Sequence, residues 1–426
     1  MSWLKKPKAA AGAIALAALA ALTPLAVVAS SSAVHGPFKF DPIPASAVLS
    51  SQPANAPFVL PDGFSQYIIE TELSDPDFHD LPDMNQVNEQ GKHVGRYLYR
   101  THEVGSNSSV TITDLDTGET TVLAQHTHWE RFDGLKWTPW QTLLAAEEVG
   151  VAAFRDPAFP NAIRGLLYEI DPETGASTAH PAIGSVSHEG IGIDPQGNIY
   201  TIDEDARGGI FMFVPDSRGD LSSGQLYAIK VTDEMAAPGA KTGTAEWVAL
   251  DRTAVQTDAR TEAISKGATT YGRPEDVEII DQVLYVAITS EDRVIAIDLK
   301  GPTPFVTEFV AAGVNVPVEV DNPAINGQND EVTGLNSPDN LAVDRAGNLY
   351  IAEDNVPGDI WVATPDKDGD GRADNVVLFA SLSDRGAEPT GIYFGKDPKT
   401  LFVNVQHAAD GNDKAMAITK NKGKDD

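Results

Sequence analysis

Five carboxylates stand at one recurring place in the chain: Asp133, Glu189, Glu275, Asp339 and Glu388. Each opens a short apolar stretch that runs into a turn, a second apolar stretch and a polar, mostly acidic, ending. Residues 188–205 show the unit whole. They read His188-Glu189-Gly190-Ile191-Gly192-Ile193-Asp194, the turn Pro195-Gln196-Gly197-Asn198, then Ile199-Tyr200-Thr201-Ile202 and the run Asp203-Glu204-Asp205. Residues 133–148, 274–292, 338–355 and 388–407 repeat it, and residues 96–103 hold a degenerate sixth copy. If the copies are equivalent in space, their opening carboxylates converge. Gathering them without a counter-ion is unfavourable through mutual repulsion and lost hydration. A bound cation removes the conflict, and an all-oxygen donor set selects Ca2+, Mg2+, Mn2+ or ferric iron.

The ends of the units form a second set: Glu103, Glu147, Glu148, Asp203, Glu204, Asp205, Glu291, Asp292, Glu353 and Asp354. A hairpin returns its end toward its start, so some of these should reach the same place. Taken singly, each reads as a solvated loop carboxylate. Arg273 directly precedes Pro274-Glu275. Its planar fork matches phosphate or carboxylate, so it reads either as an anchor for an anionic substrate or as the ion-pair partner of a neighbouring carboxylate. A separate run, residues 366–374, places Asp366, Asp368, Asp370 and Asp374 around glycines. Alternating oxygen ligands with glycine at the bend is the design of a calcium loop. The run lacks the terminal Glu of an EF-hand and follows a strand, so a structural calcium loop is expected. His126 and His128 alternate as strand ligands of zinc would, but with no third ligand they read as surface or core residues. His102, His188 and His407 lie near unit ends. No nucleophile elbow, phosphate-binding loop or dinucleotide fingerprint stands out.

Positioning these residues is the task of the repeated unit. Its apolar runs are short, rich in Ile, Val, Leu and Tyr, and punctuated by turn residues, which predicts β-hairpins. A further strand follows most of them, as at residues 165–171, 209–214, 293–298 and 359–363. Three to four antiparallel strands per unit, repeated around an axis, make an all-β propeller. The count of copies predicts six blades, with seven as the alternative. The residue before each innermost strand then lies at one mouth of the central channel, which is where the metal site is expected. Residues 216–270 are read as an insertion between two units.

The chain has 426 residues, 62 acidic against 31 basic, a formal net charge of −31, and no cysteine. The acidity excludes nucleic acid as a partner and suits a calcium-binding or secreted protein. Lys5, Lys6 and Lys8 precede the apolar run from Ala9 to Val28, the layout of a signal peptide. The reading is therefore a signal peptide over residues 1–33, a leader over 34–60, a propeller over 61–412 and a disordered basic tail over 413–426. A monomer in the periplasm or outside the cell is expected, without stable membrane association once the signal is removed. An uncleaved anchor is the alternative, because the run is long enough to cross a bilayer.

These residues resemble the PhoX-type alkaline phosphatase family of secreted bacterial propellers. The resemblance rests on Thr138-Pro139-Trp140 leading to Glu147-Glu148, on His188-Glu189-Gly190, Arg273-Pro274-Glu275, Ser337-Pro338-Asp339-Asn340 with Gly347-Asn348-Leu349-Tyr350, and Glu388-Pro389-Thr390, with His102-Glu103 as the early His-Glu step. It spans residues 60–410. It implies hydrolysis of small phosphomonoesters at a cluster of calcium and iron held by carboxylates. Glu148, Glu189, Glu275, Asp339 and Glu388 would then be metal ligands, and Arg273 would hold the phosphate. The chain departs from the family at Asp133, which stands where the family has its iron-binding cysteine. A hard carboxylate in place of a soft thiolate favours calcium over iron. Lys5-Lys6 also replaces the twin arginine that the family often carries. Two other readings stay open: a calcium-dependent propeller hydrolase of lactones or phosphotriesters, and a non-catalytic propeller in which calcium is structural.

Overall fold

The computed structural model describes residues 34, 36–148, 156–235, 239–318 and 334–421. The expected signal peptide lies outside these residues. Two early strands, β1 (Phe58–Val59) and β2 (Phe64–Thr71), join sheets formed by the far end of the chain. Then β3 (Pro82–Val87), β4 (Tyr97–His102), β5 (Ser109–Asp114) and β6 (Glu119–Gln125) make a four-stranded antiparallel sheet. A second is built from β7 (Phe132–Trp137), β8 (Leu143–Glu147), β9 (Leu167–Ile170) and β10 (Ser177–Ala179). Next come β11 (His188–Ile193), β12 (Ile199–Asp203), β13 (Ile210–Ser217), β14 (Asp220–Glu234) and β15 (Gly243–Ala249), the helix α1 (Val255–Ser265), and β16 (Pro274–Ile280), β17 (Val283–Ile288), β18 (Arg293–Asp298) and β19 (Phe305–Ala311). The chain ends with β20 (Pro338–Val343), β21 (Leu349–Glu353), β22 (Gly358–Ala363) and β23 (Val376–Leu382), followed by β24 (Glu388–Phe394), β25 (Thr400–Gln406) and β26 (Lys414–Lys420).

The fold is all-β and propeller-like. Six first strands, β3, β7, β11, β16, β20 and β24, pack side by side in that order, and β24 returns to β3. Their sheets number five. β11–β15 and β16–β19 share one nine-stranded sheet, joined where β15 meets β19 at Gly243↔Val306 and Thr244↔Phe305. The region read as an insertion supplies this junction. The length of β14 carries β15 beyond its own set to the edge of the next, and α1 follows.

Both flanks of the chain are packed into the fold. β2 pairs with β26 along its length, so one sheet takes its outer strand from the start of the described chain. Residues 413–421 are thus not a loose tail: Met416 and Ile418 enter one core, Ala417 enters another, and all three are fully buried. The lysines sit at the strand ends, and the apolar run Ala415-Met416-Ala417-Ile418 between them makes this segment a core strand where its basic charge suggests a disordered tail. Segment 34–60 is more than a leader. Phe38, Phe40 and Phe58 enter the core between the last two sheets, and Phe38 lies 4.9 to 5.3 Å, ring to ring, from Phe64, Phe379 and Phe394. Burying such a ring contributes roughly 1.5–3 kcal/mol. β1 adds a fifth strand beside β23.

One register recurs in all six hairpins. The first residue of the first strand, or in β24 the matching Glu388, faces the last residue of the second: Pro82↔His102, Phe132↔Glu147, His188↔Asp203, Pro274↔Ile288, Pro338↔Glu353 and Glu388↔Gln406. A β-bulge then sets two residues opposite one. In five hairpins it follows immediately, at Asp83-Met84, Asp133-Gly134, Glu189-Gly190, Glu275-Asp276 and Asp339-Asn340. In β24 it comes later, at Gly391-Ile392. A bulge re-aims side chains, and here its first residue is a carboxylate in five sets of six.

Candidate metal and anion site

The bulges turn the carboxylates toward one end of the ring. The crowded backbones there require glycine: a Cβ on Gly134 would fall 2.1 Å from the carbonyl oxygen of Glu189, and one on Gly190 would fall 2.1 Å from Asp276 Oδ1. Side chains at the second bulge position, Asp276 and Asn340, and Asn85 just past its bulge tie neighbouring sets together. Asp276 Oδ2 accepts from the Leu341 amide at 2.8 Å, Asn340 Oδ1 accepts from the Gly391 amide at 2.5 Å, and Asn85 Nδ2 donates to the Gly391 carbonyl at 2.9 Å. These bonds fix first strands to their neighbours.

The resulting cavity, of about 360 Å3, is lined by Asp83, Glu103, Asp133, Glu148, Glu189, Glu204, Glu275, Asp339, Asp354 and Glu388, with Arg131, Arg273, Gln406 and His407. Ten carboxylates thus face two guanidinium groups. All six expected ligands, Asp133, Glu148, Glu189, Glu275, Asp339 and Glu388, are brought together, and Arg273 stands among them. The second set divides. Glu103, Glu148, Glu204 and Asp354 reach the cavity, each one residue past the end of its strand. Glu147, Asp203 and Glu353, each the last residue of its strand, are buried behind it. Asp205, Glu291 and Asp292 do not line it.

The electrostatics follow from burial and number. Burial, then the charges of Glu103 and Asp339, hold the Asp83 carboxyl well above the usual range. Burial and Asp83 do the same to Asp133, burial and Asp133 to Glu189, burial and Asp339 to Glu275, and burial and Asp354 to Asp339. Burial pushes Glu148 up to about 8 and Glu388 up to about 11. Arg273 places Nε 2.6 Å from Glu204 Oε1 and Nη2 3.0 Å from Glu275 Oε1, and Arg131 places Nε 3.0 Å from Glu148 Oε2. Among the described residues, two cations cannot offset ten carboxylates.

The donor set tests what else could. Oxygens of Asp83, Glu103 and Asp133 lie within 4.8 Å of one another, and so do oxygens of Glu148, Glu189 and Glu204. Asp83 Oδ1 is buried and accepts no hydrogen bond among the described residues, and Glu275 Oε1, also buried, has the Arg273 guanidinium beside it. Ionised carboxylates have no hydrogen to give one another, so the cluster calls for more cationic charge than Arg273 supplies. Oxygen donors in excess fit calcium. A thiolate-bound iron does not fit, because Asp133 holds the place expected of cysteine and the chain has none.

Two groups were missed in the sequence. Asp83 opens a first strand, Pro82-Asp83-Met84-Asn85-Gln86-Val87, that is not apolar; the degenerate copy at residues 96–103 is the second strand of the same hairpin. The Pro-Asp pair, shared with Pro338-Asp339, was its signal. Arg131 stands two residues before Asp133, as Arg273 stands two before Glu275. The loop of Asp366, Asp368, Asp370 and Asp374 lies between β22 and β23 and lines no part of the cavity. Asp366, Asp368 and Asp374 bring oxygens within 4.8 Å, and Asp370 is not part of that group. The stacked rings of His126 and His128, 5.3 Å apart, lie away from the cavity.

A propeller-like ring with a carboxylate-lined mouth defines the class, and sequence comparison defines the family. Residues 136–409 match the family described as alkaline phosphatase PhoX, and the chain belongs to that family. The match includes Glu148 through Glu388 and leaves Asp83, Glu103, Arg131 and Asp133 outside it. Among solved structures, PhoX from Pseudomonas fluorescens in complex with vanadate, a transition-state analogue, shares the fold: TM-score 0.65, 18% identity, covering 89% of this chain and 98% of that one. A gluconolactonase from Xanthomonas campestris gives a TM-score of 0.48 at 14% identity, covering 88% and 98%. No curated protein matches the chain in sequence.

Proposed function

We propose that this protein is a secreted, calcium-dependent phosphomonoesterase whose reaction takes place at the carboxylate-lined mouth of a six-bladed propeller. The observation that supports it most is the convergence of ten carboxylates around Arg273 in one cavity, in a chain of a phosphatase family. Calcium, held by Asp83, Glu103, Asp133, Glu148, Glu189, Glu204, Glu275, Asp339 and Glu388, would polarise the phosphoryl oxygens and offset the charge of the transition state. The chain's own groups do the rest. Arg273, whose side chain is 40% exposed, presents its fork to the cavity while Glu204 and Glu275 fix its direction. It binds and orients the phosphate. The ring backing the bulges keeps the carboxylates at fixed spacing, so little reorganisation accompanies binding.

Six first strands in a closed order support six blades, two of which share an edge through β15 and β19. The loop at Asp366, Asp368 and Asp374 is read as a structural calcium site, and the N-terminal segment as a signal for export to the periplasm or exterior, where the protein acts as a monomer. The test is phosphate release from an aryl phosphomonoester by calcium-loaded protein. Turnover that Arg273→Ala and Glu275→Gln both remove is expected. Absence of turnover, or turnover only on an uncharged phosphotriester and indifferent to Arg273→Ala, would overturn the reading.

A further inference from the structure

The residue before each first strand occupies an equivalent slot in the ring: Leu81, Arg131, Ser187, Arg273, Ser337 and Ala387. The backbone at Arg131 and Arg273 is held alike. The Arg131 amide donates to the Val104 carbonyl and its carbonyl accepts from the Glu148 amide, both at 2.9 Å. The Arg273 amide donates to the Asp205 carbonyl at 2.9 Å and its carbonyl accepts from the Thr289 amide at 3.0 Å. Both have a left-handed backbone, with φ of 41° and 53°, as do Leu81 and Ser337 in the same slot at 50° and 48°. The conformation therefore belongs to the slot, and it sets the direction in which whatever side chain stands there leaves the ring.

Each side chain has its Nε beside a carboxylate one residue past a strand end: Arg273 Nε donates to Glu204 at 2.6 Å, and Arg131 Nε lies 3.0 Å from Glu148, the end of its own hairpin, without a hydrogen bond to it. Those carboxylates are the outer members of the group Glu148, Glu189 and Glu204, whose oxygens lie within 4.8 Å. The guanidiniums therefore bracket that group from both sides, and both line the cavity. The group of Asp83, Glu103 and Asp133 has no such bracket among the described residues. Arg273 also reaches Glu275, whereas Arg131 Nη2 comes no nearer than 3.8 Å to Glu130. Among the described residues, the Nη groups of Arg131 thus have fewer close carboxylate partners than those of Arg273.

We propose that Arg131 is a second phosphate-binding group, and that with Arg273 it forms a two-sided clamp which selects dianionic phosphomonoesters over monoanionic phosphodiesters. The proposal rests on the phosphatase reading. A dianion offers oxygens and charge to two forks at once, whereas a diester has an esterified oxygen where one fork would bind.

Inorganic phosphate binding to calcium-loaded, full-length protein, followed by titration calorimetry, is the test. Arg131→Gln should weaken phosphate binding roughly tenfold to a hundredfold, as loss of a charge-assisted hydrogen bond does. It should raise KM for an aryl phosphomonoester more than for an aryl phosphodiester, and Arg131→Lys should recover part of the loss. Calcium content and melting temperature should stay at wild-type values. Phosphate binding unmoved by Arg131→Gln but lost in Arg273→Ala overturns this proposal and leaves the phosphatase reading standing. Loss of calcium on Arg131→Gln also overturns it, since Arg131 would then serve only to hold Glu148. No phosphate binding by the wild type overturns both readings.

Discussion

Behind the mouth, and at it, carboxylates lie one residue apart in three places: Glu147 and Glu148, Asp203 and Glu204, Glu353 and Asp354. The rear member is committed to the fold. Glu147 accepts from the amides of Glu130 and Leu166, at 3.2 and 3.1 Å. Asp203 accepts from the Ser187 amide at 3.0 Å and takes Arg260 bidentately at 2.5 and 2.6 Å. Glu353 accepts from the Asn336 amide and Trp361 Nε1, both at 2.8 Å. The front member faces the cavity beside other anions. Burial is common to both layers, and what separates them is whether the protein supplies the donors. The rear layer pins the loops entering the first strands, and the front layer is left short of partners.

That contrast can be broken most sharply at the rear. Arg260→Ala leaves Asp203 buried beside backbone donors alone, and an uncompensated buried charge of this kind costs about 3–5 kcal/mol. Chemical denaturation should show it, while the calcium stoichiometry of the folded fraction is unchanged. Loss of calcium instead would merge the two layers into one. At the front, Glu204→Gln should lower phosphomonoester turnover on the order of a hundredfold. The same change removes a like charge, so the calcium-free protein should melt no lower than wild type. A lower melting point would place Glu204 with the rear layer.

The pH response of calcium-free protein sharpens the same point with a smaller effect. Glu148 and Glu388 hold their protons to about 8 and about 11 in the fold but release them near 4.5 when unfolded. The folded state therefore binds more protons in between, and stability falls as pH rises from about 4.5 through 8. The melting temperature of metal-free protein should drop across that window, by on the order of 5 °C. Saturating calcium should flatten the slope, because the cation stabilises the ionised forms. The smallest effect is expected at the surface loop. Asp366 accepts from the Gly369 and Gly371 amides, and Asp370 from the Arg372 amide, so that loop is already internally satisfied. In calcium-free protein Asp368→Asn should therefore shift stability by under about 1 kcal/mol, and turnover of the calcium-loaded protein should stay unchanged.

Much of the site was legible because the hairpin repeats. A carboxylate placed before an apolar run marks a bulge whether or not the bulge is visible in sequence, so Asp133, Glu189, Glu275 and Asp339 could be read directly. Glu388 could be read too, though it reaches the mouth from the first position of its strand and not from a bulge. Asp83 could not, because its strand carries Asn85 where the others are apolar. That side chain bridges to Gly391 and accepts from Arg100 Nε at 3.0 Å. Nor could sequence separate the role of Asp203 from that of Glu204 beside it: one-residue register decides it, and register is a property of pairing. The shared edge between β15 and β19 escaped for the same reason, since it rests on two residue pairs that no local pattern announces.

The pairing of β2 with β26 bears on the order of assembly. β2 lies early in the described chain and β26 late, with nearly the whole described chain between the partners Phe64 and Lys420. The sheet that holds Glu388 cannot be completed until that long loop closes, and non-local closure of this kind is slow. Until then the sheet that carries Glu388 lacks its outer strand. On the calcium reading, ion uptake is then coupled to completion of the fold. On that reading, a chain shortened before β26 should bind calcium poorly even though all of its proposed ligands remain.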